Sequence, residues 1–105
     1  MTSFGQREQA LETEFAHQQD LKFQARERAV KALAKWAAER LGKVGQAVEA
    51  YGDEIVGLDV TNPTVEGTIE RIAEALAPIG ISKVEIRRMM DQFMMTAVAT
   101  ARSTI

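Results

Sequence analysis

Cysteine is missing altogether from these 105 residues, which excludes disulfides, a thiol nucleophile and thiolate metal sites. That absence accords with a reducing compartment. Proline is nearly absent too, with Pro63 and Pro78 the only two, so long helices meet few obligatory breaks. Histidine occurs once, at His17, and no serine has a base and an orienting acid at a recognisable spacing. The glycines are scattered single breakers rather than a phosphate-cradling loop. No apolar run approaches the roughly 18 residues that a membrane span needs. The start, Met1-Thr2-Ser3-Phe4-Gly5-Gln6-Arg7-Glu8, lacks the basic and apolar regions of a signal peptide. The expectation is therefore a cytosolic, non-enzymatic chain of one domain, bound to a membrane only through a partner.

What the chain has in abundance is helical periodicity. Phe4, Leu11 and Phe15 fall within a stripe about 40° wide at 100° per residue. The stripe then lapses at Gln18 and Lys22. A richer stripe follows on another azimuth from Phe23: Val30, Leu33, Ala34, Ala37 and Leu41, widened by Ala29 and Trp36. The second stripe is broad enough to bury against a core, whereas the first is not. A helix-prone arm with three anchors and no partner in its own chain suits another protein's groove.

Breakers divide the remainder. Gly42 is placed as a C-terminal cap, and a second helix is predicted from about Gln46 to Ile55 or a little beyond, with Val48, Tyr51, Ile55 and Leu58 on one face. A loop is expected over Asp59-Val60-Thr61-Asn62-Pro63, Asn62 capping a third helix with Pro63 at its first position. That helix turns Val65, Ile69, Ile72, Ala73 and Leu76 inward and ends at Pro78 and Gly80. Ser82 and Glu85 have the spacing of a capping box, with Ile81 and Ile86 as its hydrophobic staple. The last helix buries Ile86, Met89 or Met90, Phe93, Met94 and Ala97. No strand alternation appears. The fold expected is all-α: a small four-helix bundle over residues 22–105, its long first helix extended by an arm over residues 1–21, with neighbouring helices antiparallel.

The net charge of −2 conceals segregation. Lys22, Arg26, Arg28, Lys31, Lys35, Arg40 and Lys43 crowd the stretch from Lys22 to Lys43, while Glu49, Asp53, Glu54, Asp59, Glu66, Glu70 and Glu74 follow it. Attraction between helices of one domain explains this better than nucleic acid, because the basic stretch lacks aromatic or glycine interleaving. His17 and Asp20 are one turn apart, but two ligands make a weak metal site, and no metal or other cofactor is expected. Met89, Met90, Met94 and Met95 read as core before they read as an adaptable groove.

Read as a string, the arm and its continuation carry a more specific signal. Glu14-Phe15-Ala16-His17, Asp20-Leu21-Lys22-Phe23 and Trp36-Ala37-Ala38-Glu39 stand with Ala50-Tyr51, Glu54-Ile55-Val56 and Ile86-Arg87-Arg88-Met89-Met90. So arranged, the chain resembles the zeta subunit family of alphaproteobacteria, small proteins that inhibit ATP hydrolysis by the F-type ATP synthase. The resemblance implies an N-terminal inhibitory arm that enters a catalytic interface of the alpha and beta subunits near the gamma shaft. Hydrolytic rotation is then blocked. It also implies a cytoplasmic protein, peripheral to the inner membrane through the synthase. On that basis Phe4, Arg7, Glu8, Leu11, Glu12, Glu14, Phe15, Ala16 and His17 form the inhibitory segment. The chain departs from the family pattern at Gly5-Gln6 and in the loop from Asp59 to Gly67. Two other readings stay open: a helical adaptor whose arm binds another protein, and a helical regulatory domain that weakly binds an adenine nucleotide through the methionine-rich helix and neighbouring basic residues.

Overall fold

The longest element sets the shape. In a computed structural model, which describes the backbone of residues 3–103 and the side chains of residues 21–101, α1 runs unbroken over Ser3–Arg40. Thirty-eight residues make a rod of about 57 Å at 1.5 Å per residue, and the molecule measures 65 × 24 × 21 Å. The other elements are α2 (Gln46–Asp59), α3 (Glu66–Leu76), a 3₁₀ turn (Ala77–Ile79) and α4 (Lys83–Ser103). Among the described residues all regular structure is helical, as the sequence predicted.

Helix α1 is the centre of the bundle, packed against both α2 and α4. Its buried residues are Ala25, Ala29, Val30, Leu33, Ala34, Ala37 and Ala38, which span about 220° at 100° per residue. That is wider than the single stripe expected, because α1 is covered on two sides, and alanine lets both neighbours approach closely. Leu33, Ile55, Ile72, Leu76 and Ile86 fill the space between helices. Phe23, expected to begin the core stripe, is instead 51% exposed.

Ion pairs between the helices fix their directions. Lys35 meets Glu49, and Arg26 meets Asp59, so α1 and α2 are antiparallel. Glu66 pairs with Arg87 and Glu70 with Lys83, which makes α3 and α4 antiparallel. The punctuation follows the sequence at most places. Gly42 adopts φ 85°, and the amides of Gly42 and Lys43 donate to the carbonyls of Glu39 and Ala38, the paired bonds of a Schellman stop. Gly80, at φ 82°, repeats that geometry after the 3₁₀ turn, with Ile81 N–H donating to Leu76. Ser82 Oγ accepts the Glu85 amide at 3.2 Å, and Ile86 behind it is fully buried.

Two expectations fail at the α2–α3 connection. Helix α3 begins at Glu66 rather than after Asn62. Asn62 caps the preceding helix instead: its Nδ2 donates to Leu58 O at 3.0 Å and its amide to Asp59 O. Asp59, expected to open the loop, is instead the last residue of α2, which turns Val48, Gly52, Ile55 and Asp59 inward. These four lie within about 60° of one another, while Leu58 is 42% exposed. Gly52 belongs to that face because an added Cβ would meet Lys35 Cγ at 3.3 Å, so the stems of Lys31 and Lys35 cross α2 there.

Candidate functional site

All nine arm residues singled out from the sequence (Phe4, Arg7, Glu8, Leu11, Glu12, Glu14, Phe15, Ala16 and His17) fall on the backbone of α1; their side chains lie outside the described residues, as do those of His17's neighbour Asp20. The helix that carries them has no proline and no glycine between Gln6 and Arg40, so nothing in its chemistry interrupts the passage from arm to bundle. At the root, Leu21 is half-buried and Lys22, Phe23 and Gln24 are exposed. Leu21, Lys22, Ala25 and Arg26 line a cleft of about 690 Å³ whose far wall is Met94, Val98 and Ala101 of α4.

Beside this cleft, the root is held by a polar clasp. Asp59 is only 2% exposed, and Arg26 Nε donates to its Oδ2 at 2.8 Å. Thr68 Oγ donates to Asp59 Oδ1. The same guanidinium donates through Nη2 to Asn62 O at 3.0 Å and Asp59 O at 3.3 Å, and through Nη1 to Pro63 O at 3.3 Å. One arginine thus pairs with a buried carboxylate and bonds carbonyls at and just past the end of α2, where a helix dipole favours a cation. No buried side-chain polar atom among the described residues lacks a partner. The sequence reading placed Asp59 in a loop. Its place four residues after Ile55, on the buried azimuth of α2, was the available signal.

The segregated charges are largely spent within the bundle. Lys35 Nζ lies 2.7 Å from Glu49, and Lys31 Nζ lies 3.7 Å from both Glu49 and Asp53. The hydrogen bond from Lys35 holds the Glu49 carboxyl below its ordinary range and raises Lys35 in return. Arg40 and Lys43 stand over the Trp36 and Tyr51 rings at 5.7 and 5.9 Å. Arg28, Lys35, Trp36 and Phe93 line an open hollow of about 510 Å³, a basic and aromatic surface without a buried polar anchor. The methionines divide: Met90 is core, Met89 and Met94 pack at its edge, and Met95 is 73% exposed. Among the described residues no three His, Cys, Asp or Glu side chains are grouped to hold a metal ion, and no helix is long and apolar enough to cross a membrane.

Comparison with known proteins places these features in one family. Residues 1–100 match a family model described as ATPase inhibitor subunit zeta. No curated protein and no solved structure matches the chain.

Proposed function

The chain belongs to the ATPase inhibitor subunit zeta family, and from that membership we propose that it inhibits the F-type ATP synthase by inserting its N-terminal arm at a catalytic interface. The arm enters between an alpha and a beta subunit close to the gamma shaft, and so blocks rotation in the hydrolytic direction. The bundle stays outside as a stop. The observation that supports this most is the unbroken α1 helix, which joins the stripe of Phe4, Leu11 and Phe15 to a packed domain.

The energetics favour a helical arm. Ordering a residue costs about 1–2 kcal/mol of backbone entropy. Burying three large side chains returns about 1.5–3 kcal/mol each, too little to order some fifteen residues from a coil. Helix already present before binding removes most of that cost. Leu, Ala, Glu and Gln, which dominate residues 8–14, favour it. Arg7, Glu8 and Glu14 can add charge-assisted bonds to the partner.

The test is ATP hydrolysis by a purified alphaproteobacterial F-type ATPase stripped of its own inhibitor, titrated with the full chain and with a chain beginning at Lys22. Inhibition by the first alone supports the arm as effector. No inhibition by either, with both folded, refutes the reading and leaves the adaptor alternative.

A further inference from the structure

The geometry points to Arg26 and Asp59 as a positioning pair that sets the course of the arm where it leaves the bundle, an inference that rests on the inhibitory reading above. Three helices meet at this clasp. Arg26 comes from α1, Asp59 from the last turn of α2, and Thr68, which holds the other carboxylate oxygen, from α3. Toward α4 the root faces a cleft, with Leu21 and Ala25 on one wall and Met94, Val98 and Ala101 on the other. The polar hold on the root is the Arg26 fork, with its bonds to Asp59, Asn62 and Pro63. The root is thus tied to α2 and to the α2–α3 connection through one side chain, at the level where the arm leaves the bundle.

That level matters because the arm is a lever. Arg26 stands 23 residues from the first residue of α1, about 35 Å along the axis. A tilt of about 10° at Arg26 moves the tip by roughly 6 Å, more than docking into a shaped interface tolerates. A change too mild to unfold the bundle can therefore misdirect the arm. Lysine at this position keeps the charge but loses the planar fork, and with it the simultaneous bonds to the carboxylate and the loop carbonyls. The pair acts through the direction of α1.

The experiment compares the intact chain with Arg26→Lys and with Ile72→Val, a mild core change in α3 that leaves the polar groups of the clasp in place. Each is assayed for the concentration that half-inhibits ATP hydrolysis, for thermal unfolding, and for amide hydrogen exchange over residues 21–29. Arg26→Lys is expected to raise the half-inhibitory concentration about tenfold and to speed exchange at the root. Ile72→Val, at similar loss of stability, is expected to leave both as in the unmodified chain. Unchanged potency of Arg26→Lys overturns the proposal, whatever its exchange. So does lost potency with unchanged exchange, and so does an equal loss of potency in Ile72→Val. Should Arg26→Lys not fold, Asp59→Asn, which keeps the shape of the carboxylate, takes its place under the same criteria. If the unmodified chain does not inhibit, the inhibitory reading fails, and exchange alone decides the clasp: faster exchange confined to the root upholds it, and unchanged exchange overturns it.

Discussion

Leu33 shows how much one side chain carries in a bundle this small. It is fully buried on the central helix, and truncation leaves a cavity that two neighbouring helices cannot both close. Leu33→Ala is expected to destabilise the domain by about 2–5 kcal/mol, read as a lower urea midpoint with unchanged slope. Titration works at the same scale. Hydrogen bonds from Lys35 and Arg87 hold Glu49 and Glu66 below the ordinary carboxylate value of 4.5. A carboxylate whose folded pKa is depressed contributes stability above its unfolded pKa and loses it as pH falls through the folded one. Stability should therefore decline on acidification below about pH 4.5, and Glu66→Gln should make that decline shallower. Both groups are exposed, so added salt should shrink the difference. Urea midpoints between pH 7 and pH 3, with and without salt, check the sign.

Helix ends are the features most directly written in residue types. Gly42 and Gly80 were placed as stops from sequence, and both hold the positive φ that an L side chain resists. Gly42→Ala is expected to cost about 1–2 kcal/mol, visible as a lower melting temperature. Ser82→Ala removes the acceptor for the Glu85 amide and is expected to cost about 1 kcal/mol. The α2–α3 connection was misread for a reason that belongs to this scale. Asn62-Pro63 satisfies the rule for starting a helix, yet the side chain of Asn62 reaches back to Leu58. The Arg26 fork claims its carbonyl as well. Local preference offered two uses for one asparagine, and a contact with α1, far away in sequence, chose between them.

At the scale of the whole molecule the unbroken α1 gives a shape that solution scattering can read. The Cα radius of gyration is 17.4 Å, against about 13 Å for a compact domain of this length. Small-angle scattering of the free protein should return a value near 17 Å; a value near 13 Å would mean that α1 does not extend past the bundle. Function is tested at the same scale by Phe15→Ala, expected to weaken inhibition more than tenfold with an unchanged circular dichroism spectrum. Helix count, the glycine stops, the Ser82 cap, the core of α3 and the family resemblance were legible in the residues, because each depends on spacing within one segment. The burial of Asp59 and its capture by Arg26 and Thr68 were not, nor was the covering of α1 on two sides. Those depend on which helix lies beside which, and a buried charge is stable only where distant segments bring it a partner. Periodicity along the chain specified the helices and the face each could bury; three-dimensional packing alone decided that a charged pair, rather than another apolar contact, closes the bundle at the root of the arm.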